Sequence, residues 1–181
     1  MSEVLQNSCG ECVVCCYAPG FNAKEDGYKK KPGEMCKHCT GTGCAIYETR
    51  YNLCRLFYCG WRRQPLLGEA WRPDRSGVLL IELERDEVPE AYRAAGAGME
   101  FTILTDQRAI QRPGFADYVA TLVSRKVAVF LALTGRPKTV INPFLEDLVA
   151  AGDMAGVTRM LLHLYELHLE ARRQGIEAPE R

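Results

Sequence analysis

The segment CGECVVCC (residues 9–16) places four cysteines within eight residues. Five more follow as far as Cys59, and the remaining two thirds of the 181-residue chain contains none. The spacing is C-x2-C-x2-C-C, then C-x2-C-x4-C, then C-x4-C. The nine residues are Cys9, Cys12, Cys15, Cys16, Cys36, Cys39, Cys44, Cys54 and Cys59. The chemistry of these thiols therefore determines how this third of the chain can fold.

The cellular compartment determines how these thiols are interpreted. The opening MSEVLQNSCGE lacks the basic and apolar regions of a secretory signal, and no apolar run approaches the roughly 20 residues that cross a bilayer. We therefore expect a cytoplasmic protein, in which disulfides are rare. An odd number of cysteines also prevents complete pairing. Metal coordination is the leading prediction for all nine, with thiol redox chemistry as the alternative.

The composition changes near residue 63. Residues 1–63 have little apolar periodicity, and 24–37 (KEDGYKKKPGEMCK) form a polar loop by composition. A structural zinc site contributes roughly 10–16 kcal/mol in small peptides, which compares with about 5–15 kcal/mol for the net stability of a domain. We predict that residues 1–63 form a metal-binding module and that residues 64–181 form an α+β core.

The core segments alternate between strand and helix patterns. Strands are predicted at Val78–Leu83, 101–105, 127–133 and 139–141. Helices are predicted after Pro89, after Pro113-Gly114, from Asn142 as N-cap, and from Asp153 to Gly175. Glu82 and Glu84 are expected to face solvent. The predicted fold class is α+β: a loop-dominated, cysteine-rich module on a core with a short, mostly antiparallel sheet and two to four helices.

The spacing of the thiols indicates a multinuclear centre. A two-residue gap lets two sulfurs reach one ion at about 2.3 Å, whereas the adjacent Cys15 and Cys16 diverge and more easily serve different ions, unless one of them bridges. Residues 1–63 hold nine Lys and Arg against six Asp and Glu, a surplus of three. Nine thiolates would change this to minus six, which three divalent ions would return to zero.

The segment GCAIYETRYNLCRLFYC (43–59) resembles the YkgJ-type family of zinc- or iron-chelating cysteine-cluster domains, which also begins with C-x2-C-x2-C-C. The family's second motif is G-C-x-I-Y-E-x-R-P-x-x-C-R-x-F-x-C. Ten positions match it: Gly43, Cys44, Ile46, Tyr47, Glu48, Arg50, Cys54, Arg55, Phe57 and Cys59. Tyr51 replaces the usual proline. The resemblance covers about residues 9–61 and implies cysteine-bound zinc or an iron centre.

The residues leave several metals open. Thiolate-rich sites favour zinc, iron–sulfur or copper(I); zinc is the leading prediction, an iron–sulfur cluster or other iron centre the alternative, and copper the last. His38 is an additional candidate ligand, although a free loop histidine is the more ordinary interpretation. Arg50 and Arg55 are expected beside the thiolates. The lysine run 29–31 is expected to be solvated, and the aromatic residues Tyr47, Phe57, Tyr58 and Trp61 are expected to shield the metal and fasten the module.

Two function classes follow from these residues. The first is a metal-binding protein with a structural role or a surface for a protein or peptide partner. The second is an iron-centre enzyme of redox chemistry or of protein or peptide modification, and thiol-based metal buffering is a third possibility. No pattern identifies catalytic residues, and the zero formal net charge gives no indication of nucleic-acid or membrane binding. His163 and His168 are expected to be ordinary helix residues.

Overall fold

The structure is a computed structural model that describes residues 7–23 and 27–175. Residues 1–6, 24–26 and 176–181 lie outside the described part. The opening segment used to predict the compartment therefore falls mostly outside it, as does the beginning of the predicted polar loop. No helix within the described ranges is long and apolar enough to cross a bilayer.

The cysteine-rich part consists of short elements joined by turns. Two strands, β1 (Phe21–Ala23) and β2 (Tyr28–Lys30), form an antiparallel pair in which Phe21 lies opposite Lys30. Two single-turn helices follow, α1 (Asn52–Leu56) and α2 (Gly60–Arg63). Turns of 3-10 helix occur at Val14–Cys16 and Tyr47–Thr49. This agrees with the predicted loop-dominated character of the segment.

The rest of the described chain is an α+β core around a four-stranded mixed sheet, with strand order β3-β4-β5-β6. The strands are β3 (Val78–Leu83), β4 (Gly98–Ile103), β5 (Ala128–Leu133) and β6 (Thr139–Val140). The β4–β5 pair is parallel, and the pairs on either side of it are antiparallel. The predicted α+β class with a short, mostly antiparallel sheet is confirmed.

Three helices of nine or more residues accompany this sheet, together with shorter turns. They are α5 (Phe115–Ser124), α6 (Asn142–Ala150) and α7 (Met154–Arg173). The single-turn helices are α3 (Pro73–Ser76) and α4 (Arg108–Gln111), and 3-10 helices occur at Glu69–Trp71, Arg85–Glu87 and Glu90–Ala95. All residues of β4 and β5 are buried. The main hydrophobic cluster joins residues of β3, β4 and β5 to helices α5, α6 and α7, and a smaller cluster consists of Leu83, Val88, Ala128 and Phe130.

The observed core differs from the prediction most clearly at β4 and at Asn142. The strand predicted at 101–105 begins at Gly98 and ends at Ile103, because Gly98, Met99 and Glu100 pair with both neighbouring strands. Asn142 is the first helical residue and does not cap the helix. Its side chain is fully buried, and it accepts a hydrogen bond from Val129 N (2.7 Å) and donates one to Val127 O (2.8 Å). By contrast, Asp153 caps α7 as predicted, with Oδ1 accepting from Gly156 N (2.7 Å).

Helix α2 joins the cysteine-rich part to the sheet. Trp61 is 1% exposed and belongs to the main hydrophobic cluster, and its indole Nε1 donates to Gly68 O (3.1 Å). A Cβ at Gly60 would lie 2.8 Å from Leu80 Cβ, so only glycine permits this approach of α2 to β3. Glu82 accepts from Gln64 Nε2 (2.8 Å) and pairs with Arg63 (3.3 Å). Of the two glutamates predicted to face solvent, Glu84 is exposed and Glu82 is partly exposed while making these two contacts.

Candidate metal centre

The backbone brings the cysteine clusters of the sequence close together. Cys36 N donates to Cys16 O (2.8 Å), which joins the second cluster to the first. Cys39 and Cys44 face each other in an isolated antiparallel bridge. The 3-10 turn Val14–Cys16 lies between these clusters and the sheet, and its residue Val14 is buried in the main hydrophobic cluster. This turn anchors the adjacent pair Cys15 and Cys16.

One set of cysteines lies against the core. Cys9, Cys12, Cys15 and Cys59 line a small cavity of about 20 Å³ beneath Trp61, and Pro73 and Leu79 also line it. Electrostatic interactions link Cys59 to Cys9 and Cys12, and Cys15 to the same two residues. We call these four residues the four-thiol group.

The remaining cysteines form a second neighbourhood away from the sheet. Cys16 interacts with Cys39 through a side-chain hydrogen bond, and the pKa of Cys39 is raised mainly by burial, with a contribution from the charge of Cys36. Cys54 interacts electrostatically with Cys36, Cys16 and Cys44. We call Cys16, Cys36, Cys39, Cys44 and Cys54 the five-thiol group.

This division differs from the clusters in the sequence. Cys15 and Cys16 are assigned to different groups, although their side chains also hydrogen-bond to each other and so link the two groups. The C-x4-C cluster is split, since Cys54 belongs to the five-thiol group and Cys59 to the four-thiol group. Cys54 lies in α1, whereas Cys59 immediately precedes α2, close to Trp61. Spacing alone gives no signal for this separation.

Whether these groups can hold a metal ion depends on the chemistry of their donor atoms and on whether those atoms point to a common position. Thiolates are suitable donors for zinc, iron–sulfur and copper(I). However, no three His, Cys, Asp or Glu side chains within residues 7–23 and 27–175 converge closely enough to hold an ion together. The sulfurs of each group are neighbours, and metal binding would require their side chains to rotate towards a common point.

The protonation of the thiols reflects burial and mutual hydrogen bonding. A hydrogen bond from the Cys15 thiol lowers the pKa of Cys16 to about 6, and the same bond raises the pKa of Cys15. The pKa of Cys59 is raised to about 11, mainly by burial, and the charges of the nearby Cys9 and Cys12 raise it further. Burial also raises the pKa of Cys12 and of Cys54. A bound cation would oppose these increases because it stabilises thiolate.

An acidic residue of the core lies beside the four-thiol group. Asp74, in helix α3, interacts with Cys12 through its carboxylate. Arg72 donates two hydrogen bonds to the same carboxylate (2.7 and 2.9 Å), and these bonds are the main cause that lowers the pKa of Asp74. The sequence contains no signal for this contact, since Cys12 and Asp74 are 62 positions apart.

A buried lysine lies beside the five-thiol group. Lys30 is 2% exposed, and its Nζ donates to the carbonyls of Tyr17 (3.0 Å), Pro19 and Glu34 (3.0 Å). Burial lowers the pKa of Lys30, while the nearby Cys36 opposes this. The prediction of a solvated lysine run is therefore wrong at Lys30. The strand period of β2 turns Lys30 inward, whereas Lys29 and Lys31 are exposed.

Several other predicted residues have identifiable surroundings. His38 Nε2 lies 3.1 Å from the Tyr51 hydroxyl, and Tyr51 stacks on Tyr28 at 5.0 Å between ring centroids. The residue that departs from the family motif thus forms an aromatic contact beside the candidate ligand His38. The Arg50 guanidinium lies 4.0 Å from the centre of the Tyr47 ring.

The charge of Arg50 favours the thiolate of Cys54, as expected for a residue beside the thiols. Arg55 is exposed. Among the predicted aromatic residues, Trp61 is buried, Phe57 packs partly against the main cluster, and Tyr47 is 55% exposed.

Comparison with known proteins adds no family assignment. No family model matches the chain, and no curated protein or solved structure matches it either. The resemblance to the YkgJ-type family rests on the ten motif positions and the C-x2-C-x2-C-C segment.

Proposed function

We propose that this chain is a cytoplasmic metal-binding protein whose nine cysteines hold zinc in a multinuclear thiolate centre. The observation that carries the proposal is the arrangement of the thiols in a four-thiol group and a five-thiol group, which meet at the hydrogen bond between the adjacent Cys15 and Cys16. Four thiolates complete the tetrahedral coordination that zinc prefers. The resemblance to zinc- or iron-chelating domains supports the same conclusion.

The number of ions follows from sulfur count and charge. The four-thiol group would hold one zinc ion, and the five-thiol group would hold one or, with a bridging sulfur, two. The buried charge of Lys30 and the charge of Arg50 beside the five-thiol group favour anionic sulfur there. A zinc ion would supply cross-linking of the chain and stabilisation of thiolates at neutral pH.

The role we propose for this centre is structural, with a surface presented to a protein or peptide partner. The elements of the cysteine-rich part are at most five residues long within the described residues, and such pieces need cross-links to stay ordered. Three exposed apolar side chains lie around α1: Tyr47 (55% exposed), Leu53 (46%) and Leu56 (65%). They provide apolar area that a partner could cover.

Metal content measured on two variants tests the proposal. Protein purified anaerobically under reducing conditions is analysed for zinc per chain, alongside Cys12→Ser and Cys36→Ser. Because the two cysteines belong to different groups, each variant is expected to lose only part of the zinc, and the double variant to lose nearly all. A zinc-free wild-type protein, or variants that keep full metal content, would contradict the proposal.

An iron–sulfur protein that acts in redox chemistry or modification is the second candidate. It is favoured by one specific observation: each group has at least the four thiols that a [4Fe–4S] cluster requires. Brown colour, visible absorption, iron and labile sulfide in the anaerobic sample would support this candidate over zinc. A colourless protein whose zinc exchanges rapidly without loss of fold would instead support metal buffering.

A further inference from the structure

A cleft separate from both thiol groups lies where the cysteine-rich part meets the core. It has a volume of about 170 Å³. Strands β4 and β5 are parallel, so they end at the same edge of the sheet. The cleft lies at that edge, beside Leu104 and Thr105, which follow β4, and Thr134, which follows β5. Crevices at the carboxyl ends of parallel strands are common ligand sites.

The walls of this cleft combine apolar side chains with several hydrogen-bonding groups. Four residues form the apolar walls, namely Ile103, Leu104, Leu133 and Leu169. The hydroxyl-bearing side chains are Tyr17 from the cysteine-rich part, Thr105, Thr134, and Tyr165 from α7. A concave site that combines apolar and polar side chains offers both kinds of contact to a small molecule.

One of the polar groups lacks a partner. Thr134 Oγ1 is buried, and no hydrogen-bond partner for it exists within the described part of the chain. A buried hydroxyl without a partner is destabilising. Thr134 lines the cleft, and rotation of its side chain would present this hydroxyl to a ligand that could satisfy it.

Among the residues that the structure describes, one charged side chain lines the cleft, and it is a cation. It belongs to Arg172, which within residues 7–23 and 27–175 has no acidic partner at salt-bridge distance, unlike its neighbour Arg173, which pairs with Glu170 at 3.0 Å. Asp106 and Glu166 act on Tyr165 at longer range. The charge of Asp106 is already compensated, because Arg108 holds it in a close ion pair (2.6 Å).

We propose that this cleft binds a small organic monocarboxylate. The planar guanidinium of Arg172 matches one carboxylate through two parallel hydrogen bonds, and the single positive charge suits a monoanion. The hydroxyl groups of Thr134 and Tyr165 complete the polar contacts. The leucine and isoleucine walls take the short apolar body of the ligand, since an apolar cavity of about 150 Å³ in another protein accommodates benzene.

Titration of the full-length protein with two matched pairs of probes tests this proposal. Isobutyrate and benzoate carry the carboxylate, whereas isobutyramide and benzamide have the same shape without the charge. Binding is followed by the methyl NMR signals of the four apolar wall residues. Saturable shifts are expected with the two acids, and at least tenfold weaker binding with the amides, since a hydrogen bond to a charged group contributes about 1.5–3 kcal/mol.

Single substitutions distinguish binding at this cleft from a general effect of positive charge. Arg172→Gln is expected to weaken isobutyrate binding about tenfold or more, whereas Arg173→Gln, the matched control on the next residue, should leave it unchanged. Thr134→Val is expected to weaken binding severalfold without lowering the melting temperature, because it replaces an unpaired hydroxyl with a methyl group.

Three results would overturn the proposal. The first is the absence of saturable shifts at these methyl groups, and the second is equal binding of the acids and the amides. The third is displacement of isobutyrate by inorganic phosphate at a concentration below that at which isobutyrate itself binds. Zinc content is measured on the same samples and is expected to be unchanged by Arg172→Gln. Failure of this inference is thereby distinguishable from failure of the proposed metal centre.

Discussion

At the residue scale, Lys30 is the least expected feature of the cysteine-rich part. Its charged Nζ is buried, it is held by three backbone carbonyls, and it lies near the sulfurs of Cys16 and Cys36. A buried ammonium is costly unless it is paired and hydrogen-bonded. The three carbonyls and the neighbouring sulfur atoms satisfy both conditions, so we expect Lys30 to contribute to the stability of this part.

Lys30→Met tests that contribution. The methionine keeps the apolar stem but leaves three carbonyls without their donor, and we expect a loss of about 2–3 kcal/mol in the free energy of unfolding. Lys31→Met, at the next, exposed position, should change it by less than about 0.5 kcal/mol. Urea denaturation of samples with equal metal content provides the comparison. Equal midpoints for the two variants would contradict the stabilising role.

His168 gives a second prediction at this scale. Burial lowers the pKa of this histidine in the folded protein, so the unfolded chain takes up the proton first as the pH falls. The neutral form thus contributes stability that is present above the unfolded pKa of about 6.5 and is lost as the pH falls through the lower folded pKa. We expect the free energy of unfolding to decrease less between pH 7 and pH 5 in His168→Gln than in the wild type.

The control for this measurement is on the same helix. His163 is exposed, so His163→Gln should retain the wild-type dependence on pH. Urea denaturation at several pH values provides the free energies. A wild-type slope in His168→Gln would show that this residue does not carry the effect.

At the scale of elements, the strongest signals in the sequence were local ones. The run of β-branched and apolar residues in β5 and the apolar spacing in α5 predict a buried strand and an amphipathic helix, and both are confirmed. Asp153 caps α7 as its position before the helix predicts.

The features that the sequence did not reveal depend on contacts between distant segments. The side chain of Asn142 bonds to Val129 N in β5 and to Val127 O just before that strand, beyond the two residues that pair with the short strand β6. The orientation of Lys30 and the separation of Cys54 from Cys59 likewise depend on packing against residues that are remote in the chain. All nine cysteines could be proposed as ligands from their spacing, but their division into two groups could not.

Helix α2 supplies a prediction at this scale. A methyl group at residue 60 would meet Leu80 Cβ at 2.8 Å and Met99 Sδ at 3.3 Å, so Gly60→Ala would push α2 away from β3. We expect a loss of about 1–3 kcal/mol in the free energy of unfolding, the range for overpacking.

Gly68→Ala is the matched control for this substitution. Nothing lies within 4 Å of a Cβ at Gly68, and its φ of −69° suits any residue. We expect it to be neutral or slightly stabilising, as measured by thermal unfolding. If both alanine variants melted at the same temperature, the close approach of α2 to the sheet would not matter for stability.

At the scale of the whole molecule, the two parts of the chain differ in how much they contribute to the apolar core. The core is built on buried apolar residues from β3, β4, β5 and the three long helices. The cysteine-rich part contributes only a few residues to that cluster, chiefly Val14, Ala18 and Trp61. Apart from these anchors, its order is proposed to depend on metal.

We therefore expect metal removal to disorder the cysteine-rich part more than the core. After exhaustive chelation of the reduced protein, we expect residues 9–59 to lose protection against amide hydrogen exchange, including the amide of Cys36, which bonds to Cys16 O. Strands β4 and β5 should remain protected, and so should α2, because Trp61 packs in the core. Full protection of residues 9–59 without metal would show that metal is not needed for their order.

The Asn142 side chain also affects how copies of this protein meet one another. Strand β6 pairs with Phe130 and Leu131 of β5, Ile141 N donates to Val129 O, and the amide of Asn142 bonds to Val129 N and Val127 O. A strand edge whose backbone N–H and C=O groups are unpaired is a template for pairing with a strand of another molecule. The Asn142 carboxamide thus makes this edge of β5 a poor template for fibril-like polymerisation.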